Sequence, residues 1–297
     1  MRPLIFILNV HSGGQRGAWL YHQLELRNAG RVVALSTEDL QTAARTASED
    51  GSALVACGGD GTAASCLEAS WIPGDRPMAP VGVIPLGTGN DLSRWLGWGS
   101  RLPDPSALDG LLVRLQNART SAHDRWVVEG PAGTIAWFNY LSIGTDARVA
   151  LRFHRLRRLH PWMFRGQAIN RAMYGAVALS EPQLPLSRSL DLARHTVPAW
   201  ARAVVFTNIG SYAGGTALGR GIHAVDGHLD GFLLGPGSVL GLAAAGVRRP
   251  HPLGAMAQVD FTLRVPTAMQ IDGEPSVAPP GRYSVRRVGM VRVLMAR

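Results

Sequence analysis

Two short segments gather the residue types that handle phosphate. Gly58-Gly59-Asp60-Gly61-Thr62 puts three glycines around one carboxylate, between an apolar run and a helix-prone run. Without a Cβ, such a backbone can bring its N–H groups close to an anion. The helix N-terminus that follows adds unpaired N–H groups and the positive end of a dipole. Asp60 by itself would repel phosphate, so it calls for a bridging Mg²⁺ or a bonded sugar hydroxyl; a tight turn with Asp60 as a helix cap is the plainer reading. Gly87-Thr88-Gly89-Asn90-Asp91 repeats the pattern, with a hydroxyl, an amide and a carboxylate that can cap or stand behind a ligand. A third loop, Asn9 to Gly14, at the end of the first apolar run, could complete the rim, or form an ordinary connection.

The elements that must position these segments read as alternating strands and helices. Residues 4–9, 31–36, 52–57 and 81–85 are apolar and β-prone, while 18–29, 40–49 and 63–70 have helical character. Such repeated units imply a parallel sheet with helices on both faces, with ligands beyond the carboxyl ends of its strands. Both glycine segments fall at such ends. From about Trp126 the texture changes to short β-like runs (125–129, 134–140, 203–208, 259–265, 283–288, 291–295) separated by Gly/Pro turns, with one helical stretch near 146–178. The expected architecture is a doubly wound α/β nucleotide-binding domain, 1–122, followed by a β-rich, sandwich-like domain, 123–297. The last strand of the second can return to the first.

Composition narrows the chemistry. The chain has 297 residues, 46% of them apolar, enough for a large core without staples. All 30 basic residues are arginine, which excludes any lysine phosphate clamp, Schiff base or general base; arginine and backbone N–H groups must serve instead. The net charge of +9 suggests an anionic partner: nucleic acid, a phosphorylated metabolite or an anionic membrane surface. Neither a basic tail nor aromatic-interleaved basic segments favour nucleic acid. Cys57 and Cys66 have no metal-type spacing and read as buried thiols of a reducing compartment. The apolar start is too short for a signal peptide, and no window reaches the ~18 apolar residues of a spanning helix.

Arg148, Arg152 and Arg155 recur on one helical face, and Val149, Phe153 and Leu156 lie on the adjacent one. Arg157, Arg158 and Arg165 extend the charge beside Trp162, Met163 and Phe164. A basic amphipathic helix followed by aromatics suits an anionic membrane surface. A helix packed on its own domain, its arginines simply solvated, would read the same way.

The glycine segments, with Pro85-Leu86 before the second and Leu92 after it, resemble the catalytic domain of diacylglycerol kinases. The superfamily also holds sphingosine and ceramide kinases and, more distantly, NAD kinases. The second half resembles the accessory domain of the same family in Asn139-Tyr140-Leu141-Ser142-Ile143-Gly144-Thr145-Asp146-Ala147, in Ala150-Leu151-Arg152-Phe153-His154 and in Asn208-Ile209-Gly210-Ser211-Tyr212-Ala213-Gly214-Gly215. Asp226-Gly227-His228-Leu229-Asp230-Gly231 and Gln270-Ile271-Asp272-Gly273-Glu274-Pro275 continue it in order.

The resemblance implies a lipid kinase of phospholipid metabolism, moving a phosphoryl group from ATP to the hydroxyl of diacylglycerol. Ceramide or a sphingoid base is the alternative acceptor; NAD kinase and a non-catalytic nucleotide-binding protein are remoter ones. By position, Asn9, Ser12, Gly13, Gly58, Gly59, Asp60, Gly61, Thr62, Gly87, Thr88, Asn90 and Asp91 would line the ATP, with Thr37 near the nucleotide. Val10 replaces the family's usual proline. A structural Mg²⁺ would sit at Asp226, with neighbouring carbonyls falling at His223 and His228. Asp272 and Glu274 are the candidate general bases, Glu274 preferred; their spacing suits one side of an extended segment or a tight turn about Gly273. Arg148, Arg152, Arg155, Arg158 and Trp162 would meet the membrane. The expected setting is cytoplasmic, peripheral to the inner face of the membrane, with a homodimer allowed.

Overall fold

The computed structural model describes all residues except 14–15, 75–77, 103, 165–166, 220, 237–249 and 297. Gly14 and Arg165, of the first turn and the basic stretch, lie outside the described residues. The chain forms two compact units, Met1–His123 with Met290–Arg297, and Asp124–Gly289.

The first unit is built from β1 (Leu4–Leu8), α1 (Arg16–Leu26), β2 (Arg31–Ala34), α2 (Thr37–Asp50), β3 (Ala53–Gly58), α3 (Asp60–Ser70), β4 (Val81–Pro85), α4 (Asp91–Trp95) and α5 (Leu108–Gln116). Its strands run in the order β2-β1-β3-β4, all parallel, with Ile7 opposite Ala56 and Ala56 opposite Val83. Every residue of β1, β3 and β4 is buried. That is why these runs are apolar throughout rather than alternating: a parallel sheet covered on both faces has no wet side. The chain leaves β1 for β2 on one side and returns past β1 to β3 on the other. A crevice therefore opens at the carboxyl ends of β1 and β3. α2 starts where the Ser36 hydroxyl accepts the Asp39 N–H at 3.2 Å and ends at Gly51 in the left-handed region, φ 77°.

β5 (Arg119–Gly130) carries the chain into the second unit, followed by β6 (Gly133–Trp137), β7 (Tyr140–Gly144), α6 (Thr145–Leu159), α7 (Gln167–Ser180), β8 (Leu190–Leu192), β9 (Ala203–Thr207), β10 (Ser211–Tyr212), β11 (Thr216–Ala217), β12 (Leu229–Leu234), β13 (His251–Met256), β14 (Gln258–Leu263), β15 (Thr267–Ile271), β16 (Glu274–Ala278) and β17 (Gly281–Met295). One antiparallel sheet has the order β13-β12-β9-β7-β15-β16. β8, β14 and β17 pair antiparallel, as do β5 and β6. A core of Trp126, Trp137, Leu141, Phe206, Phe261 and Tyr283 fills the space between these sheets. On the other face of the six-stranded sheet, Tyr140, Val205, Tyr212 and Phe232 pack with Val149 of α6 and Val177 of α7. Strand periodicity distributes β9 between the two cores: Val204 and Phe206 face one, Ala203 and Val205 the other.

The expected helical stretch is two helices, α6 and α7, and the runs 283–288 and 291–295 are one 15-residue strand. The end of that strand belongs to the first unit, where Val293 pairs parallel with Val81. β7, β12, β15 and β16 were not among the expected runs. Ser142, Asp230 with Gly231, Gln270 and Pro275 interrupt their apolar patterns, and cross-strand pairing supplies the order that propensity does not.

Candidate functional site

In the first unit, absent Cβ atoms bring three loops together. A Cβ on Gly58 would stand 2.2 Å from Thr62 Oγ1, so the buried Thr62 side chain occupies the space that any larger residue would need. The Gly58 carbonyl accepts the N–H of Leu86 at 2.8 Å and of Gly87 at 3.3 Å, tying the ends of β3 and β4. A Cβ on Gly87 would lie 2.6 Å from the Gly59 Cα. At Gly13, φ 67°, a Cβ would lie 2.7 Å from the Leu86 carbonyl oxygen, which closes the first loop onto the third. Asn9 is held at the end of β1, its N–H bonded to the Cys57 carbonyl at 3.1 Å and its Oδ1 accepting the His11 N–H at 3.1 Å; its carbonyl accepts the Ser12 N–H. α3 begins at Gly59 with no side-chain cap, so its first N–H groups lie at the junction of these loops.

The carboxylates at this junction have mixed duties. Asp60 Oδ1 accepts the Leu92 N–H at 3.1 Å: Asp60 is a cap, but of α4, across the loop, rather than of its own helix. The Oδ2 atoms of Asp60 and Asp91 lie 2.9 and 3.6 Å from the position a Cβ on Gly89 would take. Arg94 reaches the same loop, Nε donating to the Gly89 carbonyl at 3.2 Å. Asn90 corrects an expectation. It takes the left-handed region, φ 55°, is 1% exposed, and gives its amide N–H groups to Gly87 O at 2.8 Å and Ser100 O at 2.9 Å. Its amide staples the loop rather than presenting donors to a ligand. Gly61 and Thr88 are half-buried in their loops. Thr37 opens α2 beyond β2, the edge strand, and so stands one strand out from the converging loops.

In the second unit the organising group is Asp272. Its carboxylate accepts three backbone N–H groups, Phe138 at 2.8 Å on Oδ2, Asn139 at 2.7 Å and Tyr140 at 3.1 Å on Oδ1. Burial pushes its carboxyl up to about 6, against the opposing pull of those three donors. Asp272 and Gly273, φ 47° and 88°, form the two-residue turn of the β15–β16 hairpin, closed by the pair Ile271–Glu274. The tight turn about Gly273 is the alternative realised. Asp272, with both oxygens committed, is thereby corrected from candidate base to a residue that builds the turn. Glu274 projects from that turn with a side chain 72% exposed, and its recorded partner is His154 of α6, Nδ1 to Oε2 4.0 Å. Burial lowers the His154 pKa, as do Arg157 and Arg158, while Glu274 opposes the shift.

Arg148 and Arg152 are engaged by Glu181, Nε–Oε1 3.1 Å and Nη1–Oε2 3.6 Å, and Arg148 also bonds Thr145 Oγ1 and the Pro182 carbonyl. A carboxylate 11% exposed, at the end of α7, thus holds both guanidinium groups, with Arg152 still 48% exposed. Arg155 and Arg158 remain exposed, as does Trp162 at 65%. The loop around Asp226 is held by hydrogen bonds, His228 N–H to Asp226 Oδ1 at 2.9 Å and His228 Nδ1 with the Asp226 carbonyl at 2.8 Å. Among the described residues no three His, Cys, Asp or Glu side chains gather to hold a metal; the expected Mg²⁺ site draws on the Asp226 carboxylate and backbone carbonyls at His223 and His228, a different kind of ligand set.

Residue-by-residue reading missed other buried polar groups. Asp124, 0% exposed, accepts Arg287 Nε at 2.6 Å and the Gly227 N–H at 2.8 Å. Asp146 accepts the Ser142 hydroxyl at 3.1 Å and the Tyr212 hydroxyl, and burial raises its pKa. Local sequence does not mark them as buried: Asp124 stands between His123 and Arg125, and Asp146 between Thr145 and Ala147.

Comparison with known proteins agrees with this architecture. Residues 3–122 match the diacylglycerol kinase catalytic domain, and residues 136–275 the diacylglycerol kinase accessory domain. Diacylglycerol kinase 2 of Arabidopsis thaliana is 31% identical over 99% of this chain and 46% of its own length. Human diacylglycerol kinase zeta is 30% identical over 96% of this chain and 35% of its own. The chain thus spans less than half the length of these curated relatives. A crystal structure described as a diacylglycerol kinase of Bacillus anthracis strain Sterne shares the fold, with TM-score 0.58 at 12% identity over 99% of this chain and 97% of the other. Two family models in the same order, covering most of the chain, place it in the diacylglycerol kinase family.

Proposed function

We propose that this chain is an ATP-dependent lipid kinase that transfers the γ-phosphoryl group to the free hydroxyl of diacylglycerol, giving phosphatidic acid. The observation that carries the reading is the convergence of three loops at the carboxyl ends of β1, β3 and β4, where Gly13, Gly58 and Gly87 leave no room for a Cβ and one on Gly59 would sit 3.3 Å from the Gly87 Cα. Backbone N–H groups of these loops and the uncapped start of α3 would cradle the phosphates. Asn9 and Asn90 hold the loop ends in shape. Asp60 and Asp91, whose Oδ2 atoms flank Gly89, supply the hard oxygen ligands that suit Mg²⁺; the ion would neutralise triphosphate charge. Arg94, bonded to the Gly89 carbonyl, and Arg16, whose side chain lies beside Gly13, are cations at these loops.

Glu274 takes the hydroxyl proton as the oxygen attacks phosphorus, and ADP leaves. Asp272 sets the turn that presents it. A lipid substrate has to be reached at an interface, and the exposed Arg155, Arg157 and Arg158, beside Leu159 and Trp162, 62% and 65% exposed, form a patch suited to anionic headgroups and the bilayer surface.

The test is transfer from labelled ATP with Mg²⁺ to diacylglycerol, ceramide, sphingosine and monoacylglycerol in mixed micelles, with NAD as a soluble control. Labelled phosphatidic acid, lost by about 10²–10⁴-fold in Glu274→Gln, is the expected result. Label on ceramide or sphingosine alone would replace the acceptor, and label on nothing with ATP bound would overturn the kinase reading.

A further inference from the structure

We infer that His154 is a positioning residue for Glu274: the neutral imidazole on α6 flanks the carboxylate and leaves it basic, whereas the imidazolium would pin and weaken it. The inference rests on the proposed role of Glu274 and concerns the same site. Three features lead to it. Glu274 sits at the first position of an edge strand with a side chain 72% exposed, and His154 is its recorded side-chain partner among the described residues. His154 is itself two-thirds covered, 33% exposed, on a helix anchored by the buried Val149 and Phe153. The Phe153 ring meets Phe164 and Tyr174 edge-on, both at 5.3 Å, which fixes the helix face beside β16. A flexible exposed carboxylate thus has one rigid neighbour, and that neighbour can change charge.

The charged and titratable groups facing His154 are Glu274 from β16 and Arg157 and Arg158 from its own helix, with Tyr174 of α7 beyond Phe153. Burial and the two arginines keep the imidazole neutral near pH 7; Glu274 alone favours its protonation. A cation about 4 Å from a carboxylate stabilises its charged form and lowers its proton affinity. On the acid side, activity should therefore fall as His154 takes a proton.

The experiment measures kcat for diacylglycerol phosphorylation against pH in wild type, His154→Gln, His154→Arg and Glu274→Gln, with circular dichroism and ATP binding to confirm folding. In His154→Gln the acid limb should move down by about one pH unit, because no cation can then form beside the carboxylate. His154→Arg, a permanent cation, should lower kcat by about three- to tenfold across the range, with little change in KM. Normalised profiles of wild type and His154→Gln that superimpose, or full activity in His154→Arg, would overturn the inference. Undiminished activity in Glu274→Gln would instead remove the base assignment itself, which keeps the two failures apart.

Discussion

The loops of the first unit and the hairpin of the second reach order by opposite means. At the ends of β3 and β4, order comes from missing atoms: Gly58, Gly59 and Gly87 let two backbones touch, and the Gly58 carbonyl stitches them with two hydrogen bonds. At Asp272 it comes from one added group, a carboxylate that gathers three N–H donors from 138–140 and draws a turn against β7. A site made by leaving out side chains announces itself in a sequence as a run of glycines. A site made by one buried carboxylate announces almost nothing, because an aspartate beside a glycine is also how any surface turn is written.

Gly58→Ala is the strongest way to break that contrast. Its Cβ would fall 2.2 Å from Thr62 Oγ1 and drive the start of α3 off its strand. We expect loss of measurable ATP binding by calorimetry and a stability loss of about 1–3 kcal/mol, typical of overpacking. Thr62→Ala in the same chain should recover part of that stability, since it clears the space; no recovery would show that the contact is not what matters.

Asp272→Asn tests the second region. An amide offers a single acceptor oxygen to three N–H groups, so denaturant unfolding of the second unit should be easier by about 2 kcal/mol, and kcat should fall more than ATP affinity. The pH dependence has a definite sign. The folded-state carboxyl, raised to about 6 from 3.8, binds its proton more tightly than the unfolded chain does. Its contribution to stability is therefore present below about 4 and is lost as pH rises through about 6. Asp272→Asn should lack that decline between pH 4 and 6, which urea midpoints across the range would reveal.

Glu181→Gln is a milder probe of the same unit. It releases Arg148 and Arg152, side chains 27% and 48% exposed, from a partly solvated pair. The expected cost is about 0.5–1 kcal/mol in melting experiments, with kinase activity kept. If the freed arginines then strengthen binding to phosphatidylserine vesicles, the pairing with Glu181 is what withholds them from a lipid surface.

Much of the first unit was legible. β4 was located to the residue, because continuous burial of a parallel sheet leaves a local signature; α2 and α3 end where expected to within one residue but each starts three residues earlier, at Thr37 and Asp60. The split of 283–288 from 291–295 failed at Gly289 because a glycine usually ends a run, whereas here the strand continues through it, φ 151°. The pairing of Arg148 and Arg152 with Glu181 was not legible because Glu181 is some 30 residues away in the chain and only the packing of α6 on α7 brings it near.

By itself, then, the sequence determined which residue types could act: glycines for phosphate, no lysine to assist them, and two carboxylates, Asp272 and Glu274, around a turn. Tertiary structure decided what each group is engaged with. Asp60 caps a helix other than its own, Asn90 spends its donors inside its loop, Asp272 is consumed by three amides, and Glu274 is left projecting beside His154. The physical reason is that residue type sets what a side chain can donate, accept or ionise. Whether it still does so depends on the burial and partners that packing provides, and these come from parts of the chain far apart in sequence.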